Sequence, residues 1–95
     1  MEEVKLISQH PDLKTLVEGA LAAALQSTEA GIKSTEKRLR EFESKYQLST
    51  EEFLQGFNND EFQHSFDFDE WMGEAWMLKH LLEKKGKIKE VQIVN

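Results

Sequence analysis

The side chains of this 95-residue chain that could do chemistry are three histidines, His10, His64 and His80, and eighteen acids, since the chain contains no cysteine. Histidine and carboxylate can share a proton or hold a metal, but only at spacings that bring them to one point. The strongest candidate for a cation loop begins at Asn58, where a helix, an acidic loop and a second helix follow one another as in an EF-hand. With Asn58 at loop position one, Asp60 fits position three. Phe62 then stands at position five, Gln63 where glycine is required, and Asp69 in place of the bidentate glutamate. No H-x-x-x-H pair occurs to hold zinc. The expectation is therefore no metal and no cofactor, the carboxylates being read as a solvated face. Asp67 with Asp69, or Glu51 with Glu52, could in principle divide acid and base roles. The chain has no glycine-rich phosphate loop and no serine nucleophile motif, and its length leaves little room for a deep pocket, so the reading is that of a non-enzyme.

Charge is distributed unevenly. Residues 1–40 carry six acids and six bases; residues 41–74 carry ten acids against Lys45 alone; residues 75–95 carry five lysines and two glutamates. An acidic middle repels phosphate backbones, which argues against direct nucleic-acid binding. It either keeps the protein soluble or faces a basic partner, and both readings stand on the charge alone. The longest mainly apolar stretch, Leu16 to Leu25, is interrupted by Glu18 and is far short of the ~20 residues that a spanning helix needs. No signal peptide and no cysteine are present, so the expected location is cytoplasmic, with no membrane partner.

These residues must be positioned by one domain, because a chain this short supports a single core. The fold class read from the pattern is mainly α, a coiled-coil or bundle-like arrangement of three helices with a short C-terminal strand. Residues 1–11 form an arm or strand, around the extended run Glu3 to Ile7 before Pro11. Residues 12–46 form a long helix with Asp12 as N-cap. Its apolar face starts at Leu13, Leu16 and Val17 and narrows to a 3,4 repeat through Leu25, Thr28, Ile32, Thr35, Leu39, Phe42 and Tyr46. As one helix it would outrun a compact 95-residue domain, so either it breaks near Gly31 or a second chain covers the seam. The sustained repeat favours a homodimer through Leu25, Ile32, Leu39, Phe42 and Tyr46. Leu48-Ser49-Thr50-Glu51-Glu52-Phe53 reads as a capping box with a hydrophobic staple, placing a short helix over residues 50–57 that Gly56 and Asn58 close. A third helix spans residues 67–85, with Phe68, Trp71, Ala75, Leu78 and Leu82 as a second seam and Gly86 as its stop; residues 87–95 form a tail or strand.

Seven aromatics fall between Phe53 and Trp76. Phe53, Phe68 and Trp71 lie on periodic apolar faces and read as core, whereas Phe62, Phe66 and Trp76 do not. These three are either recruited into a small core or exposed on a binding surface. With Asp67, Asp69 and Glu70 they make an acidic aromatic elbow, the expected partner-binding site.

The stretch Lys45-Tyr46-x-Leu48-Ser49-x-Glu51-Glu52-Phe53, followed by Phe57 and by Asp69-Glu70-Trp71 opening a helix, resembles a group of small helical bacterial and archaeal proteins. These are encoded beside short toxin-like genes and regarded as antitoxins. The resemblance spans about residues 40–83. It implies a non-enzymatic, antitoxin-like protein-binding module, an acidic helical dimer that masks a small basic protein from an adjacent gene, itself an RNA-cutting or nucleotide-modifying enzyme. The alternative is a structural coiled-coil adaptor or assembly protein with no toxin partner. No helix-turn-helix, ribbon-helix-helix or basic arm stands out that would bind DNA directly.

Overall fold

The computed structural model describes residues 2–5, 10 and 12–94. Strand β1 (Glu2–Lys5) is followed by helices α1 (Leu13–Tyr46), α2 (Thr50–Asn58) and α3 (Phe66–Glu90) and by strand β2 (Val91–Val94). Leu6 and Ile7, expected to extend the first strand, lie outside the described residues.

The long helix is unbroken. Its 34 residues give a rod of about 51 Å at 1.5 Å per residue, and the molecule measures 58 × 21 × 17 Å. Its radius of gyration of 18.7 Å compares with about 12 Å for a compact chain of this length. Gly31 does not break α1, because α3 packs against it there: a Cβ on Gly31 would lie 3.3 Å from Leu81 Cδ1. The cover for the α1 seam is thus α3 of the same chain, running antiparallel, with Tyr46 beside Phe68, Phe42 beside Trp71, Gly31 beside Leu81 and Leu25 near Ile88. Ile32, Leu39 and Phe42 are buried in this contact, as are Thr28 and Thr35. Thr28 is accommodated because its hydroxyl donates to the Ala24 carbonyl at 2.7 Å.

Asp12 occupies the N-cap position but makes no side-chain cap bond. At the other end Gln47 takes the left-handed conformation, φ 51°, and the amides of Gln47 and Leu48 both reach the Glu43 carbonyl. The chain then turns into α2, whose N-cap is Ser49. Its Oγ accepts the Glu52 amide at 3.1 Å. The Glu52 carboxylate reaches back to the Ser49 hydroxyl at 3.1 Å rather than to its amide, and Glu43 accepts the Thr50 amide at 2.8 Å. Glycine is a poor guide to helix ends here. Gly56 lies inside α2, and a positive φ of 57° at Asp60 makes the reversal. Gly86 lies inside α3, which runs five residues past Lys85, the expected last residue of the helix. Ile88 accounts for the extension: as helix it lines a cleft with Leu21 and Leu25 and is half-buried, and apolar burial of this kind offsets the roughly 1 kcal/mol that a helical glycine costs. The start of α3 is set by Ser65, whose Oγ accepts the Phe68 amide at 3.1 Å.

Strands β1 and β2 pair in parallel, Glu2 opposite Val91 and Lys5 opposite Val94. Parallel strands need a long crossover, which the helical hairpin supplies. No helix among the described residues is long and apolar enough to cross a membrane.

Candidate protein-binding surface

At the closed end of the hairpin α2 folds over the α1–α3 pair and buries Phe53 and Trp71 completely. Their rings stack at 4.0 Å with 2° between planes, and Phe42 stacks on Trp71 at 5.6 Å and 11°. The indole N–H of Trp71 donates to Thr50 Oγ1 at 3.0 Å. Thr50 thereby ties the first turn of α2 to both long helices, its amide going to Glu43 and its hydroxyl oxygen to Trp71.

This cap divides the six residues of the expected acidic aromatic elbow. Phe62 is half-buried: it stacks on Phe53 at 5.8 Å and meets Phe68 edge-on at 5.6 Å. It reaches them over Gly56, where a Cβ would lie 2.4 Å from the Phe62 ring. The glycine therefore serves close approach, not termination. Asp67 faces inward too, its Oδ2 accepting from the Tyr46 hydroxyl at 2.5 Å and from Lys45 Nζ at 2.6 Å. Glu70 pairs with Arg38 of α1. The remaining three are exposed on the outer side of α3: Phe66 at 90%, Trp76 at 62%, and Asp69, which lies 3.2 Å from His64 Nδ1.

The bonds from Lys45 and Tyr46 hold the Asp67 carboxyl below its ordinary value, and bonding to Asp67 raises both Lys45 and Tyr46. For a carboxylate whose folded pKa is depressed, the stabilisation is complete above its unfolded value of about 3.9 and is lost as pH falls through the lower folded value. Comparing the wild type with Asp67→Asn by urea unfolding should therefore show a stability difference that is flat from pH 5 to 8 and shrinks below about pH 4. A difference that grew in acid would reverse the assigned sign.

The sequence reading did not single out a groove of about 470 Å³ between α2 and α3. Leu54, Ala75, Leu78 and Leu82 form its apolar floor, and Glu51, Lys79 and Glu83 stand at its rim. It exists because α2, nine residues long, covers only about 13 Å at 1.5 Å per residue and stops short along α3. Leu82 is left 51% exposed although it continues the Trp71, Ala75, Leu78 seam. The sequence contained a signal for this: Leu54 sits beside Phe53, off the face that Phe53 and Phe57 share, and needs cover of its own. The five residues expected to mediate dimerisation, Leu25, Ile32, Leu39, Phe42 and Tyr46, face α3 within the chain, so the seam does not require a second copy for its burial.

A second cleft of about 530 Å³, between Lys14, Glu18, Leu21 and Leu25 of α1 and Ile88 and Val91, opens at the strand end and mixes charged with apolar walls. Among the described residues no three histidines or carboxylates converge on a point where they could hold a metal ion. No protein-family model matches the chain, nor does any curated protein or solved structure.

Proposed function

We propose that this chain is a non-enzymatic protein-binding module of the antitoxin-like kind, which masks a small basic protein by taking one of its apolar helical segments into the α2–α3 groove. The observation that supports this reading is the groove itself. Leu54, Leu78 and Leu82 present one apolar surface in line with α2, at the place where a further helix would complete a three-helix bundle along the hairpin. Its rim carries Glu51 and Glu83 against Lys79, and Glu52 is exposed one residue further on α2. Acids around an apolar floor favour a partner helix with leucines on one face and lysines or arginines beside them. The outer side of α3 suits a basic partner less well, because Lys84 and Lys87 are exposed along the helix that bears Phe66, Asp69 and Trp76.

Leu82→Glu is the decisive variant, since the side chain is half-exposed and its loss leaves the aromatic cap intact. Thermal stability should stay within about 0.5 kcal/mol of the parent, while affinity for the basic protein encoded beside this one should fall about 100-fold if Leu82 is a hot spot. Calorimetry or surface plasmon resonance with that protein measures the change. Unaltered affinity would place the partner elsewhere. The adaptor reading draws on the 58 Å length of the molecule, which can space two bound proteins apart. It differs in outcome, because an adaptor leaves the activity of what it binds unsuppressed.

A further inference from the structure

The outer face of α3 is self-complementary. Phe66, Asp69, Gly73, Trp76, Met77, His80, Lys84 and Lys87 are all exposed and recur at spacings of 3, 4, 3, 1, 3, 4 and 3, a series that reads the same in both directions. At 100° per residue they form one stripe along the helix, on the side away from Trp71 and Ala75. The series is centred between Trp76 and Met77, which are 62% and 47% exposed. Its chemistry is antisymmetric: an acid, Asp69, lies seven residues before Trp76, and a base, Lys84, seven residues after Met77.

From this we infer that α3 packs antiparallel against α3 of a second copy of this chain, about a two-fold axis between Trp76 and Met77. Such an axis sets residue 69 of one protomer against residue 84 of its partner, so both ends of the contact pair Asp69 with Lys84. Trp76 meets Met77 across the axis, an aromatic ring against a thioether. Phe66 covers the methylene stem of Lys87, which explains an aromatic ring left 90% exposed at the start of a helix. Gly73 falls opposite His80. Nothing in its own chain comes within 4 Å of where its Cβ would be, so the absent side chain leaves room for a neighbouring helix to approach. One Asp69 oxygen lies 3.2 Å from His64, and the other remains for Lys84. A basic foreign protein would satisfy Asp69 but be repelled by Lys84 and Lys87, whereas a reversed copy satisfies both signs. The groove assigned above to the basic partner opens on the other side of α3, so the two surfaces can be occupied together.

Charge reversal separates this arrangement from other associations. The full chain should sediment as a dimer at concentrations where Asp69→Lys and Lys84→Asp, each alone, sediment as monomers, with dissociation constants raised about tenfold or more by like charges at both ends. Mixed in equal amounts, the two variants should form a heterodimer within about threefold of the parent affinity, because both charge pairs are then opposite again. Loss of folding would show in circular dichroism, and a misfolded variant would not regain association on mixing. Because the described chain holds no cysteine, Met77→Cys gives an independent reading that needs no charge reversal. Near the axis it should oxidise to a disulfide-linked dimer at least ten times faster than Leu16→Cys on α1. A parent chain that is monomeric at millimolar concentration, a dimer indifferent to both reversals, or equal oxidation rates would overturn the inference.

Discussion

Trp71→Ala is expected to lower the stability of the fold by about 3–5 kcal/mol, against a total that for a chain of this size lies in the range of about 5–15 kcal/mol. The indole is fully buried, stacks on Phe53 and Phe42, and donates to Thr50. Removing it leaves a cavity at the junction of all three helices and takes away the donor that ties α2 to α3. Trp71→Phe keeps most of the ring but not the N–H and should cost less, separating packing from the hydrogen bond. Urea unfolding followed by circular dichroism measures both. A loss under about 1 kcal/mol in Trp71→Ala would show that the cap is not what holds the hairpin shut.

Replacing Ile32 and Leu39 together by aspartate is expected to unfold the chain. Both side chains are 7% exposed and lie on the α1 face that α3 covers, so each change places a carboxylate in an apolar contact without a partner. The cost of each is several kcal/mol, and the two together exceed what a small domain can lose. Because the covering helix belongs to the same chain, the double variant should lose its helical signal at every protein concentration. A well-folded monomer would instead make the seam an interface between chains.

That distinction marks where sequence reading stopped. The 3,4 repeat from Leu25 to Tyr46 and the capping box at Ser49 were legible because periodicity and capping are properties of neighbouring residues. What covers the repeat was not, since Phe42 and Trp71 are separated by 28 other residues and nothing local names the partner. The candidate site fared in the same way. Phe66 and Trp76 fall off the periodic faces and are exposed, the second of the two readings left open for them. Phe62 also falls off them but is drawn inward, because the space it fills is left by Gly56 on another element. Asp67 and Glu70 counted as partner-facing charge until Lys45, Tyr46 and Arg38 came beside them from α1. Glycine misled twice for one reason: it signals a helix end through conformational freedom, yet Gly56 and Gly86 have ordinary negative φ values and remain helical.

The parallel pairing of β1 with β2 bears on the order in which the molecule assembles. Glu2 pairs with Val91, so this contact closes a loop of almost the whole chain. The entropy of bringing such distant segments together is met only after the intervening residues have been drawn in. The aromatic cap encloses a much shorter loop, from Phe42 to Trp71, and contains the two most deeply buried side chains. Helix formation and burial are therefore expected to start at the elbow and to reach the strands last, so that native-state hydrogen exchange should find the strand amides the least protected of the paired ones. During synthesis the same geometry applies: β2 is the last described element to emerge, and β1 has no strand to pair with until it does.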